Sequence, residues 1–97
     1  MDSLSEKQIE RKFVDAVAGI GGIALKFVSP GMAGVPDRLV LIRGKAYFAE
    51  MKAPGEKMKP LQMRRKKQLE WLGFRVFCID SPEKIDEVLR EIGGDAD

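Results

Sequence analysis

The sequence predicts an α/β protein with three layers, in which helices cover both sides of a mixed β-sheet in the order α-β-β-β-α-β-α. Three observations support this prediction. Apolar residues recur at helical spacing near the N-terminus, two apolar runs are joined by a glycine turn, and prolines open two further helical segments that flank a fourth apolar run. With 97 residues, of which 44% are hydrophobic and 33% charged, the chain has the size and composition of one soluble domain, residues 1–97.

The first helix is predicted over residues 5–18. Ser3 or Ser5 can cap its start, because a serine oxygen accepts a hydrogen bond from the free N–H groups of the first turn. A glycine-rich stretch over residues 19–22 ends the helix, and a short apolar strand follows over residues 23–28. The apolar residues that recur at helical spacing along this segment are Ile9, Phe13, Ala16, Val17 and Ile20.

The next two strands are predicted over residues 38–43 and 46–52. The first contains the uninterrupted apolar run 39–42, which is typical of a central strand covered on both faces. Gly44 and Lys45 predict a two-residue hairpin turn between the strands, with glycine at the first central position. The two strands are therefore expected to pair with each other in an antiparallel hairpin.

Pairing the strands about that turn brings Asp37, Glu50 and Lys52 to one face of the sheet. Side chains alternate along a strand, so Glu50 and Lys52 share a face while Met51 points the other way. In this register Asp37 lies opposite Lys52, and Leu39 lies opposite Glu50. The prediction depends on the length of the turn, because a change of one residue would move Asp37 to the other face.

The second half of the chain predicts a helix over residues 60–72, a strand over residues 75–79 and a last helix over residues 82–92. Tyr47 and Trp71 are interpreted as packing residues. The inner stripe of the middle helix is expected to consist of Leu61, Leu69 and Leu72.

Several classes of function are excluded by what the sequence lacks. The chain has no histidine, which excludes Ser-His-Asp and Cys-His catalysis and His-ligated zinc. Its single cysteine, Cys78, cannot form an intramolecular disulfide or a thiolate metal site and is interpreted as a buried structural thiol. No apolar run approaches the roughly 20 residues of a membrane span, and the N-terminus lacks the apolar stretch of a signal peptide, so a cytoplasmic protein is expected.

A basic segment lies between residues 52 and 67, although the formal net charge of the chain is only +2. Only one acid, Glu56, lies within this segment. Such a band favours a surface that faces a polyanion, and the alternative is a solvated helix face. The basic residues of the segment are Lys52, Lys57, Lys59, Arg64, Arg65, Lys66 and Lys67.

Two carboxylates and a lysine on one face suit a divalent-metal site. Asp37 and Glu50 supply the oxygen ligands that Mg²⁺ or Mn²⁺ prefers, and such an ion lowers the pKa of a bound water. Lys52 can orient the attacking water or contact a phosphate, and phosphodiester hydrolysis is the reaction that these parts would serve. The alternative is structural, because Pro-Asp is a common turn dipeptide and Glu-x-Lys is common on solvated strand faces.

The pattern Asp37…Glu50-x-Lys52, on a hairpin that follows a helix with acidic residues, resembles the PD-(D/E)xK nuclease superfamily. Several blocks more closely resemble its VRR-NUC family, in the form found as a stand-alone domain in phages and bacteria. The resemblance covers nearly the whole chain, from Ser5 to Ile92. The blocks that carry it are Phe27–Gly31, Gly34–Arg38, Phe48–Gly55, Pro60–Gln62 and Leu72–Val76.

The resemblance implies a restriction-endonuclease-like fold and metal-dependent cleavage of DNA that leaves a 5′-phosphate. The cofactor would be Mg²⁺ or Mn²⁺. Asp37, Glu50 and the Met51 backbone carbonyl would bind the metal, and Lys52 would be the catalytic lysine.

The family also uses a glutamate on the first helix. Glu10 is the best match, and Glu6, one turn earlier on the same face, is an alternative. Gln62 matches the glutamine that follows the Glu-x-Lys strand in the family. The residues expected to contact DNA are Lys57, Lys59, Arg65 and Lys66.

Small relatives of this type act as homodimers, so the resemblance predicts a homodimer that acts on DNA, including branched DNA, with no membrane partner. The first functional hypothesis is a structure-selective endonuclease or nickase, including one that resolves Holliday junctions. The alternatives are a DNA repair or recombination exonuclease and a nucleic-acid-binding module without catalysis.

Overall fold

The computed structural model describes residues 4–93, and its helices and strands follow the predicted order. Each predicted helix and strand is present, with bounds that differ from the prediction by no more than two residues. Of the two predicted caps, Ser5 precedes the first helix and accepts a hydrogen bond from the Gln8 N–H, whereas Ser3 lies outside the described residues. The elements are α1 (Glu6–Gly19), β1 (Ile23–Lys26), β2 (Arg38–Ile42), β3 (Lys45–Met51), α2 (Pro60–Trp71), β4 (Val76–Ile79) and α3 (Pro82–Gly93).

The four strands form one mixed sheet in the order β1-β2-β3-β4. The β1–β2 and β2–β3 pairs are antiparallel, and β3 and β4 are parallel. A parallel pair needs a long crossover connection, which here contains α2. The predicted mixed sheet and three-layer α/β architecture are therefore confirmed.

The turn between β2 and β3 lies one residue earlier than predicted. Arg43 and Gly44 occupy it with φ values of 53° and 76°, and Ile42 pairs with Lys45. Positive φ at both central residues is typical of a type I′ turn, whose twist matches that of the flanking strands and which suits Gly44. The predicted Gly44-Lys45 turn is therefore wrong by one position.

This error shifts the pairing register by two residues and leaves every side chain on its predicted face. Leu39 pairs with Phe48 rather than with Glu50, and Arg38 pairs with Ala49. The predicted opposition of Asp37 and Lys52 is wrong for the same reason. Because the side-chain period of a strand is two residues, a two-residue shift preserves which side chains face the core.

The hydrophobic core lies on the face of the sheet that α1 and α3 cover. Val40 and Ile42 of β2 alternate with residues of the other face, as do Ala49 and Met51 of β3. The two helices also pack against each other. The buried residues of this cluster are Ile9, Phe13, Val17, Ala24, Val40, Ile42, Ala49, Met51, Phe77, Ile79, Ile85, Val88 and Ile92.

The opposite face of the sheet is covered only in part, by α2. No residue of α2 is fully buried, so the predicted inner stripe of Leu61, Leu69 and Leu72 is wrong. Leu41 of β2 is 39% exposed, which contradicts the prediction that this strand is covered on both faces. Trp71 is 89% exposed and does not pack, whereas Tyr47 packs against the core as predicted. The cause is that α2 lies beside β4 and the loop before β2 rather than across the sheet.

Two further sequence predictions concern Cys78 and the membrane. Cys78 is half-buried on β4 rather than fully buried, and burial raises the pKa of its thiol. Within residues 4–93, none of the helices combines the length and the apolar character that crossing a bilayer requires.

Candidate active site

Glu50 and Lys52 are the buried charged residues of the described chain, with only 2% and 7% of their surfaces exposed. They alternate with Ala49 and Met51 of the core, so their side chains project from the sheet on the side of α2. The Lys52 Nζ atom lies 3.6 Å from Glu50 Oε2. Burying two charges costs free energy unless the charges are paired and hydrogen-bonded. Replacing only one of the two residues is therefore expected to lower the free energy of unfolding.

Asp37 is tied to the same strand by a hydrogen bond. Its Oδ2 atom accepts a hydrogen bond from the Met51 backbone N–H at 2.9 Å. Because Met51 lies between Glu50 and Lys52 in the chain, this bond holds the Asp37 carboxylate beside that part of β3. The backbone carbonyl of Asp37 accepts the Phe27 N–H at 2.8 Å and so continues the pairing of β1 with β2. The structure therefore brings the three residues of the predicted constellation together.

Gln62 bridges α2 and β3 through both atoms of its amide. Its Oε1 atom accepts the Lys59 backbone N–H at 2.8 Å, and its Nε2 atom donates to Glu50 Oε2 at 2.7 Å. The first bond fixes which end of the amide faces the carboxylate. Gln62, which the family resemblance singles out, thus lies beside the Glu50 carboxylate.

The two oxygens of Glu50 have different surroundings. Oε2 contacts Gln62 and Lys52, whereas Oε1 is buried and has no hydrogen-bond partner among residues 4–93. Burial, followed by the charge of Asp37, raises the pKa of Glu50 to about 7, although Lys52 opposes this shift. A buried oxygen without a partner is costly, and a bound cation would remove that cost.

Of the two candidate acids on α1, Glu6 is the one whose carboxyl shows an electrostatic influence from Asp37 and Lys52. Burial raises the pKa of the Glu6 carboxyl, and the charge of Asp37 raises it further. Glu6 also contributes to the raised pKa of Glu50. Glu10, the first choice from sequence, accepts a 2.8 Å ion-paired hydrogen bond from Arg38 Nε instead.

Sequence reasoning lacked a signal to separate these two acids. Glu6 and Glu10 lie one turn apart and so share a helix face. The discriminating residue is Arg38, whose guanidinium also donates to the Ala24 carbonyl at 3.2 Å. The position of Arg38 depends on the register of the strands, and the register predicted from the sequence is shifted by two residues from the observed one.

The four basic residues predicted to contact DNA fall into two groups. Arg65 Nε donates to the Ala33 carbonyl at 2.8 Å, and Lys66 Nζ lies 3.2 Å from Glu70 Oε1. Lys57 and Lys59 are exposed, and their side chains have no ion pair within residues 4–93. Arg65 therefore has a structural contact, whereas Lys57 and Lys59 are accessible to a ligand.

The donors at this site fit a hard divalent cation that keeps part of its water shell. No three histidine, cysteine, aspartate or glutamate side chains within residues 4–93 form a complete metal cage. Two carboxylates converge, and the Met51 carbonyl predicted as the third ligand lies between Glu50 and Lys52 in the chain. Mg²⁺ is commonly bound through one or two carboxylates with several waters, and the unpartnered Glu50 Oε1 offers it a free oxygen.

Known proteins resemble the chain in both sequence and structure. No sequence profile of a protein family matches it. A protein named "Putative nuclease p44", from Acyrthosiphon pisum secondary endosymbiont phage 1, is 51% identical over 84 residues, which cover 86% of this chain and 90% of the relative. A solved structure titled "VRR_NUC domain" superposes with a TM-score of 0.80 at 29% identity, covering 87% of this chain and 92% of that one. Both likenesses extend over the strands and loops that carry the site.

Proposed function

The chain belongs to the VRR-NUC family of nucleases, and we propose that it is a divalent-metal-dependent endonuclease or nickase that hydrolyses phosphodiester bonds in DNA. The observation that carries this proposal is the buried Glu50 carboxylate beside Asp37 and Lys52, with Oε1 left without a partner. A solvated strand face would leave Glu50 and Lys52 in water, whereas both are buried.

We assign metal binding to Asp37, Glu50 and the Met51 backbone carbonyl. When bound, Mg²⁺ or Mn²⁺ would lower the pKa of a coordinated water and neutralise charge that develops on the phosphate. The hydrogen bond from the Met51 N–H orients Asp37, and the bond from Gln62 Nε2 orients Glu50. These bonds hold both carboxylates before the substrate arrives, which reduces the cost of assembling the site.

Lys52 is the proposed catalytic lysine. Its ammonium group is buried, so its charge acts on the attacking water or on a phosphate oxygen with little screening. Its 3.6 Å separation from Glu50 Oε2 keeps the amine beside the proposed metal ligand. Glu6 is proposed as the acid of α1 that assists the site, in place of Glu10, whose carboxylate is paired with Arg38.

We further propose that two copies associate and act on branched DNA. Support comes from the open face of the sheet, where Ile23 pairs with Leu41 and both side chains are exposed, as is Leu25. Contiguous exposed apolar residues are typical of an interaction surface. Two active sites related by a two-fold axis would suit a symmetric junction.

The test of the proposed activity is nicking of supercoiled plasmid with Mg²⁺, Mn²⁺ or EDTA. Asp37→Asn and Lys52→Met are each expected to lower the metal-dependent rate by about a hundredfold or more, the scale seen when one transition-state contact is removed. Asp86→Asn, on the exposed side of α3, is the matched control and should keep full activity. DNA binding without cleavage under every metal condition would overturn the proposal in favour of a binding module.

The same protein incubated with a four-way junction tests the substrate class. Paired incisions across the junction are expected for a structure-selective endonuclease. Progressive shortening of linear ends would instead indicate the exonuclease.

A further inference from the structure

A groove outside the catalytic residues runs beside α1 and the edge strand β1. Its volume is about 800 Å³, within the range of ligand-binding sites. We call it the α1–β1 groove. Its charged lining residues are Lys7, Glu10, Arg11, Lys12, Lys26 and Arg38.

The α1–β1 groove carries an excess of positive charge that the described protein does not neutralise. Its one acid, Glu10, is paired with Arg38 at 2.8 Å. Arg11 lies 3.9 Å from Asp15, but both side chains are highly exposed, so this contact is weak. The side chains of the three lysines form no ion pair within residues 4–93.

The groove lies at the same end of the sheet as the catalytic residues. Lys26 ends β1, Arg38 begins β2 and pairs with it, and Glu50 lies near the end of β3. Arg38 directly follows Asp37, and alternation sends the two side chains to opposite faces. The groove and the carboxylates therefore lie on opposite faces of the sheet and are separated only by its thickness. A polyanion that crosses this end of the sheet would contact both.

We propose that the α1–β1 groove binds the sugar-phosphate backbone of DNA beside the scissile phosphate, an inference that rests on the proposed function for the identity of the ligand. Lysines that line a groove without an ion pair among residues 4–93 suit a chain of phosphates, which lysine contacts as a point charge without reading bases. Lys7 and Lys26 are the main phosphate contacts, and the Glu10–Arg38 pair forms the wall between them and Asp37. The groove thus sets the direction in which the DNA strand leaves the site.

The test measures how salt affects the affinity of the full chain for linear duplex DNA in EDTA, so that bound metal makes no contribution. The plot of log Kobs against log salt concentration has a negative slope, and each lost phosphate contact reduces the magnitude of that slope by about 0.9. Lys7→Gln/Lys26→Gln should therefore reduce the magnitude by about 1.8. Lys45→Gln/Arg90→Gln is the control, since both of its residues are exposed and lie outside the groove, and Lys45, like Lys26, is the terminal residue of a strand.

Nicking of plasmid by the unsubstituted protein is measured in parallel, so that the two proposals can fail separately. A slope of reduced magnitude in the Lys7/Lys26 variant alone supports the groove, even if the protein does not nick DNA and the proposed activity fails. An unchanged slope in that variant overturns the groove as a DNA site, whether or not the unsubstituted protein nicks DNA. An equal loss in the control variant also overturns it, because the effect would then reflect net charge alone.

Discussion

The buried carboxyl group of Glu50 is the group in the candidate site whose ionisation is most unfavourable. Its Oε2 atom receives the amide of Gln62 and lies near Lys52, while its Oε1 atom is buried without a partner. Burial and the negative charge of the nearby Asp37 both favour the protonated form of Glu50, so Glu50 keeps its proton at low pH. The metal-free protein is therefore expected to be less stable when Glu50 ionises.

This cost predicts a pH-dependent stability. Burial raises the pKa of Glu50 from 4.5 to about 7, so the unfolded chain loses this proton first. Stability should fall as the pH rises through this interval, by at most about 3 kcal/mol, and remain low above it. Urea unfolding in EDTA at about pH 5 and about pH 8 measures the difference, and Mg²⁺ should restore stability mainly at the higher pH.

Glu50→Gln is the control for this prediction. It removes the titrating group, so the unfolding free energy should vary less with pH and respond less to Mg²⁺. Equal stability of the unsubstituted protein at both pH values would contradict the raised pKa.

The choice between Glu6 and Glu10 is a second prediction about single residues. Glu6→Gln should lower the nicking rate or the affinity for Mg²⁺ by about tenfold to a hundredfold, the range for groups that support a metal site. Glu10→Gln should affect metal dependence less, because Glu10 is paired with Arg38. A titration of the nicking rate against Mg²⁺ concentration compares the two variants, and the reverse order would reinstate Glu10.

For single residues, sequence alone predicted those whose positions depend only on alternation along a strand. Glu50 and Lys52 share a face for that reason, and Asp37 joined them because the register error was an even number of residues. The role of Arg65 required the fold. Arg65 lies one helical turn from both Leu61 and Leu69, where the spacing would favour an apolar residue, and its hydrogen bond to the Ala33 carbonyl accounts for an arginine there.

Helix α2 is positioned by the loop that precedes β2. Gly34 in this loop has φ of +83°, and a Cβ atom there would lie 2.7 Å from Leu61 Cγ and 3.1 Å from the Leu61 carbonyl oxygen. Arg65 of the same helix donates to the neighbouring Ala33 carbonyl. Because α2 carries Gln62, this loop contact also determines how Glu50 is held.

Gly34→Ala is therefore expected to lower both stability and activity. The strained backbone and the displaced α2 should cost about 1–3 kcal/mol of unfolding free energy, and the nicking rate should fall as Gln62 moves away from Glu50. Gly31→Ala, in the same loop, is the matched control, because a Cβ atom at Gly31 would have no atom within 4 Å. Thermal unfolding and plasmid nicking of both variants make the comparison, and equal behaviour would show that α2 does not depend on this close approach.

The periodicity of α2 could not predict how little of the helix is buried. Leu61 and Leu72 have the spacing of an inner stripe, yet both are exposed. Helical periodicity identifies a face but not whether another part of the chain covers it. Helix α3 shows the opposite case, since Ile85, Val88 and Ile92 have similar spacing and are buried.

At the scale of the whole molecule, the two faces of the sheet are covered unequally. One face lies under α1 and α3, and much of the other is open beside α2. The layer order could be predicted from the sequence of helices and strands, but the extent of each layer could not. An open apolar face is the basis for the proposed association of two copies.

Sedimentation velocity tests that association. The unsubstituted protein is expected to sediment as a dimer, and Leu41→Lys should shift it toward the monomer, because a charge would be buried at the interface. Ile20→Lys is the control, since Ile20 is equally exposed, at 39%, but follows α1 on the other side of the molecule. A monomeric unsubstituted protein would contradict the proposed dimer.

The Arg43-Gly44 turn has a consequence for how the gene can change over evolutionary time. At the end of β3, Ala49 and Met51 face the core while Glu50 between them faces the candidate site, so the position of each side chain depends on its place in the two-residue repeat of the strand. Among descendants of this chain, insertions or deletions in the hairpin should persist as pairs of codons. A single extra codon would exchange the positions that face the core with those that face the candidate site, unless a β-bulge absorbed the added residue.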